Sequence, residues 1–243
     1  MSSFLEGIFG ELDIRCSERQ YAAFDGYMEG VLEFNKSVNL TAIKDPEEFQ
    51  IKHFADSVLV TRCSEYQSAD RILDLGTGGG FPGVPLAILD PEKEFVLVDS
   101  LLKRLKIIDE LTGELGISNV KTIHGRAEDL GRNEELRETF DLCVSRAVAD
   151  LSVLAEYALP FVKVGGYFIA YKGSDCDAEV RNAGKAIRVL GGETVRIDKA
   201  DKAGLEHNLV IIKKIKETSG KYPRTAGKPG KSPIAKNIER TKL

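Results

Sequence analysis

The amino-acid sequence predicts an α/β protein built on a mostly parallel sheet. From Arg71 onward, short apolar runs alternate with segments whose apolar residues recur at helical spacing, which is the pattern of strands joined by crossover helices. The last two apolar runs are separated only by the polar stretch 199–204, so they should pair as an antiparallel hairpin. We therefore expect a seven-stranded sheet that is parallel except for one antiparallel strand at its edge.

The first part of the chain, residues 1–65, is predicted to be helical. Ser17 is a capping residue in front of a segment whose apolar residues recur at three- and four-residue spacing. A second helix start follows at Asp45-Pro46, where a capping residue precedes a proline at the first helical position. These helices cannot enclose much core by themselves, so we expect an extension that packs on the sheet.

The remaining elements follow from the same periodicities. Strands are predicted at residues 71–75, 94–98, 119–123, 140–145, 166–171, 193–198 and 207–214. Helices are predicted near residues 82–89, 102–115, 150–162 and 176–190. The chain then divides into a helical extension (1–65), an α/β domain (66–216) and a basic tail rich in Pro and Gly (217–243).

The composition limits the class of protein and its location. Hydrophobic residues make up 42% of the chain and charged residues 30%, and no apolar run approaches the roughly 20 residues of a membrane span. The N-terminus lacks the basic region of a signal peptide, and the four cysteines form no C-x-x-C pair. We expect a soluble cytoplasmic protein without a metal site; a monomer is favoured, with the oligomeric state left open.

The charges are divided unevenly along the chain. Residues 213–243 carry ten Lys or Arg against two Glu, whereas the remainder has 24 basic and 36 acidic residues. A basic tail on an acidic body indicates contact with a polyanion such as nucleic acid, although a solvated tail is the alternative. The candidate RNA-binding residues are Lys221, Arg224, Lys228 and Lys231.

The most informative stretch, Asp74-Leu-Gly-Thr-Gly-Gly-Gly-Phe-Pro-Gly, comes directly after the first strand. Glycine-rich loops at this place let a nucleotide approach main-chain N–H groups. A dinucleotide site prefers G-x-G-x-x-G, but Phe81 stands where the third glycine belongs. The pattern acidic-x-Gly-x-Gly-x-Gly, typical of S-adenosylmethionine (AdoMet) methyltransferases, is matched by Asp74, Gly76, Gly78 and Gly80. We favour AdoMet over a nicotinamide dinucleotide.

Further polar residues follow the other strands, at the edge where open α/β sheets bind ligands. Asp99 ends the second strand and can accept both ribose hydroxyls. After the third strand, Ala127 and Glu128 offer a backbone N–H and an acidic side chain to the adenine edge. Arg146 and Lys172 end the fourth and fifth strands, where they suit an anionic substrate or form salt bridges.

Several motifs together resemble the bacterial 16S ribosomal RNA guanine-N7 methyltransferase family, known as RsmG or GidB. The motifs cover nearly the whole chain, and they are Asn39-Leu-Thr, His53-Phe-x-Asp56-Ser57, the glycine loop, Val98-Asp-Ser-x-x-Lys103-Arg104, Ser145-Arg-Ala and Tyr222-Pro-Arg-x-x-Gly-x-Pro. The glycine loop alone would indicate only the superfamily. Jointly the motifs are specific to this family.

The resemblance implies a cytoplasmic enzyme that methylates N7 of one guanine in the decoding region of 16S ribosomal RNA. It also implies AdoMet contacts by Gly76, Phe81, Ala127, Glu128 and Arg146. Guanine N7 carries no proton, so in-line attack on the methyl group needs positioning and no general base. A nicotinamide-dependent oxidoreductase and a non-catalytic RNA-binding protein on this fold remain the alternatives.

The substrate is expected to be held by groups from two parts of the chain. We expect Arg146 and Lys172 to orient the target nucleotide and its phosphates, and His53 and Asp56 to shape the pocket from the N-terminal helices. His53 and Asp56 are three residues apart on a predicted helix, so they share a face and can hydrogen-bond.

Overall fold

The sheet has the seven expected strands, and one of them is antiparallel. A computed structural model describes residues 3–146, 148–199, 205 and 207–234. The strand order is β3-β2-β1-β4-β5-β7-β6. The strands are β1 (Arg71–Leu75), β2 (Glu94–Asp99), β3 (Val120–His124), β4 (Phe140–Arg146), β5 (Val162–Lys172), β6 (Gly192–Asp198) and β7 (Asn208–Lys214). The predicted strands are therefore confirmed to within a few residues at their ends.

The position of the antiparallel strand corrects the prediction. β7 does not form the edge; it lies between β5 and β6 and runs antiparallel to both. Burial explains this order, because β7 is buried at nearly every position, whereas β6 is buried at only one and has two exposed and four half-buried residues. The backbone N–H and C=O groups on both edges of a buried strand need hydrogen-bond partners, so β7 has a neighbour on each side. The more polar β6 suits the edge of the sheet.

Helices cover both faces of the sheet. The helices of the α/β part are α6 (Gly83–Leu89), α7 (Leu102–Glu114), α8 (Ala127–Leu130), α9 (Leu151–Ala158), which continues as a 3₁₀ turn over Leu159–Phe161, and α10 (Asp177–Val189). α10 packs against α9 and β6. Among the described residues, no helix combines the length and the apolar character needed to cross a membrane.

Two of the N-terminal helices begin directly after the predicted capping residues, Ser17 and Asp45. The N-terminal helices are α1 (Ser3–Glu11), α2 (Glu18–Phe34), α3 (Pro46–Phe49), a π-helical segment (Gln50–Ala55), α4 (Asp56–Val58), a 3₁₀ turn (Leu59–Arg62) and α5 (Ser64–Gln67). Ser17 and Gln20 form a reciprocal capping box at the start of α2. Asp45 accepts a hydrogen bond from the backbone N–H of Glu48 and so caps α3.

These helices share one core with the sheet. Phe24 contacts Phe54 with ring centroids 4.9 Å apart, and Phe49 contacts Phe81 at 5.6 Å. Phe81 belongs to the glycine loop, and all four rings are buried. The extension is therefore joined to the ligand-binding edge of the sheet by packed aromatic rings.

The tail is folded onto the body as far as residue 234. Residues 218–234, here called the C-terminal strap, begin at Thr218, whose hydroxyl lies 2.8 Å from the fully buried Nζ of Lys214. Glu138 accepts hydrogen bonds from this Nζ and from the Thr218 backbone N–H. Burial lowers the pKa of Lys214 despite the Glu138 carboxylate. The rest of the predicted tail, 235–243, lies outside the described residues.

Arg224 anchors the middle of the strap. Its guanidinium donates to both carboxylate oxygens of Glu156 on α9, at 2.8 Å to Oε1 and 2.6 Å to Oε2, and its backbone N–H donates to Oε1. The Glu156 side chain is fully buried. Removing either partner would leave a buried charge unpaired, at a cost of about 3–5 kcal/mol. Arg224, predicted to bind RNA, is thus engaged within the fold.

Candidate active site

A cavity of about 260 Å³ lies at the carboxyl ends of β1, β2 and β3. Four of the predicted cofactor residues line it: Gly76, Asp99, Ala127 and Glu128. Its other lining residues are Leu75, Val98, Ser100, Gly125, Arg126, Val148, Tyr157 and Gly227. Gly78, Phe81 and Arg146, also predicted to bind the cofactor, are not among its lining residues.

The glycine loop needs glycine for two different reasons. Gly76, Gly78 and Gly80 all have positive φ, at 74°, 60° and 89°. At Gly80 a Cβ would also lie 2.1 Å from the Tyr27 hydroxyl, and this hydroxyl donates to the Gly79 carbonyl oxygen at 2.9 Å. Helix α2 therefore holds the loop through Tyr27.

Two carboxylates fix the loop. Asp74 Oδ2 accepts from the Thr77 hydroxyl at 2.6 Å and from the Gly83 backbone N–H at 2.8 Å. Complete burial raises the pKa of Asp74 to about 6. Asp99 Oδ2 accepts from the Gly78 backbone N–H at 3.0 Å. A direct hydrogen bond therefore fixes the glycine loop relative to Asp99, the carboxylate expected to bind ribose.

Glu128 also lines the cavity and is only 5% exposed. Its Oε1 accepts a 2.8 Å hydrogen bond from the backbone N–H of Gly227 in the strap. Tyr157 on α9 faces the same carboxylate, and burial together with Glu128 raises the pKa of the Tyr157 hydroxyl. Sequence reasoning missed Tyr157, Val148 and Gly227 as wall residues; only Gly227 lies in a recognised motif, and the basic charge around that motif points to RNA instead.

Arg146 connects β4 to the N-terminal helices. Its Nη1 donates to Asp56 Oδ2 at 2.6 Å and to the Lys52 carbonyl oxygen at 2.9 Å, and its Nη2 lies 3.2 Å from His53 Nδ1. Arg146 and Asp56 side chains are 9% and 3% exposed. Burial opposes ionisation of Asp56, but hydrogen bonding to His207 and the Arg146 charge outweigh it and lower the pKa of Asp56.

The predicted direct hydrogen bond between His53 and Asp56 does not form. Both residues are hydrogen-bonded to Arg146 instead, and Asp56 Oδ1 turns to His207 Nδ1 at 2.7 Å. The chain is π-helical over Gln50–Ala55, so the spacing of a regular α-helix does not apply there. Sequence reasoning missed the contribution of His207, which lies 151 residues from Asp56.

Arg146 fixes the protonation of His53. A guanidinium only donates hydrogen bonds, so His53 Nδ1 accepts and Nε2 carries the proton, which it donates to the Thr41 hydroxyl oxygen at 2.6 Å. The ring stacks on Phe81 with a 4.3 Å centroid separation. Burial and the Arg146 charge lower the pKa of His53 from 6.5 to about 3. His53 is therefore neutral at physiological pH.

Lys172 has a different place from the one expected. Its Nζ donates to the Ala149 carbonyl oxygen at 2.6 Å and to Glu179 Oε1 at 2.7 Å, and the residue is buried. Glu179 Oε1 also accepts from the Leu151 backbone N–H at the start of α9. These contacts tie β5 to α9 and α10, so the geometry does not favour Lys172 as a group that orients the target nucleotide.

The three other candidate RNA-binding residues of the strap, Lys221, Lys228 and Lys231, are exposed. Lys228 follows Gly227 of the cavity wall directly. Within the described ranges, no group of three or more His, Cys, Asp or Glu is arranged to hold a metal ion.

Comparison with known proteins shows to which family the chain belongs. The family model described as "GidB: rRNA small subunit methyltransferase G" matches residues 20–215. The ribosomal RNA small subunit methyltransferase G of Clostridium tetani is 47% identical over 233 residues, which are 95% of this chain and 97% of the relative. That of Desulforamulus reducens is 46% identical and covers 93% of this chain and 95% of its own.

The chain belongs to the GidB family of small-subunit ribosomal RNA methyltransferases. This confirms the family indicated by the joint motifs, and it leaves the nicotinamide-dependent alternative without support.

Solved structures confirm the methyltransferase fold. The O-methyltransferase TomG from Streptomyces achromogenes, in complex with SAM, has a TM-score of 0.56 at 17% identity and covers 86% of this chain and 94% of its own. An O-methyltransferase from Bacillus cereus, in complex with SAH, has a TM-score of 0.54 at 20% identity over 77% of this chain and 90% of its own.

The buried state of His53 predicts a pH dependence of stability. Because folding lowers the His53 pKa from 6.5 to about 3, the unfolded chain binds a proton that the folded chain does not. The contribution of neutral His53 to the free energy of unfolding is complete above pH 6.5. This contribution is lost as the pH falls below 6.5, by about 1 kcal/mol per pH unit. Urea unfolding of the variant His53→Gln should show a correspondingly smaller loss of stability between pH 6.5 and 5.

His124→Gln is the matched control, because His124 is exposed on β3. It should reproduce the pH dependence of the unsubstituted protein. Equal pH dependences for His53→Gln and His124→Gln would contradict the assigned protonation state of His53.

Proposed function

We propose that this protein transfers the methyl group of AdoMet to N7 of a specific guanine in 16S ribosomal RNA, without a general base. The observation that carries the proposal is a cavity bordered by the glycine loop, Asp99 and Glu128. Phe81 of the same loop stacks on His53, which belongs to a buried cluster that contains no suitable base. Family membership supplies the class of substrate, small-subunit ribosomal RNA.

The residues of the cavity fit AdoMet chemically. The positive φ of Gly76 brings backbone, without a Cβ, to the cavity wall, where a Cβ would lie 2.6 Å from Val148. Asp99 uses one oxygen for Gly78 and the other for the Leu101 backbone N–H, and each oxygen keeps a lone pair for a ribose hydroxyl. Glu128 and the backbone at Ala127 suit the adenine edge.

Arg146 is the candidate for binding the methionine carboxylate. Three of its five N–H donors are committed to Lys52, His53 and Asp56, which fixes the plane of the guanidinium and leaves two donors for an anion. When bound, AdoMet supplies an electrophilic methyl group on a sulfonium sulfur. The role of Arg146 is then to hold that end of the ligand in one orientation.

The state of His53 and Asp56 suits a reaction that removes no proton. A histidine with a pKa of about 3 is too weak a base near neutral pH, and both Asp56 oxygens are engaged by Arg146 and His207. Guanine N7 attacks through an in-plane lone pair and releases no proton. Orientation of the two reactants can lower such a barrier by about 7–11 kcal/mol.

The experiment for this proposal is methyl transfer from labelled AdoMet to small-subunit RNA and particles from cells that lack the gene. Digestion and mass spectrometry should identify 7-methylguanosine at one site. RNA from cells that carry the gene is the control and should accept little label. Transfer to another base, or to another atom of guanine, would contradict the proposal.

We also propose that Lys221, Lys228 and Lys231 contact RNA phosphates. The triple variant Lys221→Gln, Lys228→Gln, Lys231→Gln should bind small-subunit RNA more weakly. The slope of log affinity against log salt should fall by about 0.7–0.9 for each phosphate that the variant no longer neutralises. Filter binding at several salt concentrations measures this slope.

A matched triple variant removes the same charge elsewhere. Lys121 and Lys163 are exposed near the amino ends of β3 and β5, and Lys185 is exposed on α10. Replacing these three by Gln should leave the slope nearly unchanged. If both triple variants reduced the slope equally, a general charge effect would replace the proposed contact surface.

A further inference from the structure

The C-terminal strap passes beside the adenine end of the proposed AdoMet site. Gly227 lines the cavity, and its N–H donates to Glu128 Oε1 at 2.8 Å. Its φ of 79° directs the backbone into this position, and a Cβ there would meet nothing within 4 Å. The strap therefore reaches the cavity through main chain, not through a side chain.

Hydrogen bonds hold the strap to the rest of the protein before Gly227 and connect it to the chain after Gly227. Before it, Arg137 donates to the Tyr222 carbonyl oxygen at 3.0 Å and Arg132 to that of Pro223 at 2.5 Å. Arg224 makes the buried ion pair with Glu156 and also donates to the Ser232 carbonyl oxygen at 2.8 Å, beyond Gly227. The Arg224 side chain therefore joins the chain before Gly227 to the chain after it.

We infer that the strap is a wall of the AdoMet site and that Gly227 is a positioning residue for adenine recognition. Its N–H holds one oxygen of the Glu128 carboxylate, which orients the group to accept from the 6-amino group of adenine. The inference rests on the proposed function, since it takes this cavity as the adenosine site.

The inference predicts a loss of discrimination when Gly227 moves. A fixed carboxylate favours a 6-amino donor and repels a 6-oxo group, so the site should bind S-adenosylhomocysteine more tightly than S-inosylhomocysteine. Ala is strained at positive φ, so Gly227→Ala should displace the N–H. The affinity for S-adenosylhomocysteine should then fall about tenfold, whereas S-inosylhomocysteine, which is relieved of a repulsion, changes less.

The experiment measures both dissociation constants by calorimetry on the full chain and compares their ratio. Gly165→Ala is the matched control, because Gly165 also has positive φ (90°), also has open space around its Cβ position, and lies within β5. It should keep the ratio of the unsubstituted protein. Gly227→Asn should keep most of it, because Asn tolerates the left-handed region better than Ala.

The ratio separates a positioning role from a structural one. Partial unfolding weakens both apparent affinities by the same factor and leaves their ratio unchanged. An unchanged ratio in Gly227→Ala would therefore overturn the inference even if the variant were unstable. The variant Glu128→Gln tests whether this cavity is the adenosine site at all. If Glu128→Gln altered the ratio of the two dissociation constants but Gly227→Ala did not, only the proposed role of the strap would fail. If Glu128→Gln also left the ratio unchanged, the adenine placement in the proposed function would fail with it.

Discussion

The buried ion pair between Arg146 and Asp56 is the interaction on which the arrangement of the site depends. It joins the end of a central strand to the N-terminal helices, and it sets the tautomer of His53 and the direction of the Arg146 guanidinium. Both side chains are almost completely buried, so breaking the pair would leave an uncompensated charge at a cost of about 3–5 kcal/mol. The energetic penalty keeps the extension in one position relative to the sheet.

The cavity is preformed because three distant parts of the chain fix its walls. Helix α2 holds the glycine loop through Tyr27, the sheet supplies Asp99, and the strap holds Glu128 through Gly227. A reaction without proton transfer gains its rate from the orientation of the reactants. In the proposed reaction, the catalytic contribution of this chain is therefore a set of rigid walls, to which the N-terminal helices and the strap contribute.

The elements follow from local patterns, whereas their relations in space do not. Alternation and apolar runs predict every strand, but the position of β7 inside the sheet depends on the relative burial of β6 and β7. The sequence gives no local partner for Arg224 in the basic tail, because its partner Glu156 is 68 residues away. No pattern in the sequence around Lys172 predicts its contacts with Glu179 and Ala149. The glycine loop and Asp99 are predictable because the sheet topology places strand ends together.

In the proposed reaction, this site transfers a methyl group by positioning alone. Single-turnover methyl transfer to unmodified small-subunit particles, followed at saturating AdoMet between pH 7 and 8.5, tests it most directly. We expect a rate that is flat across this range, because guanine N7 carries no proton and His53 and Asp56 do not change their charge there. A rate that rises about tenfold per pH unit would show that a base must lose its proton first, and it would contradict methyl transfer without a general base.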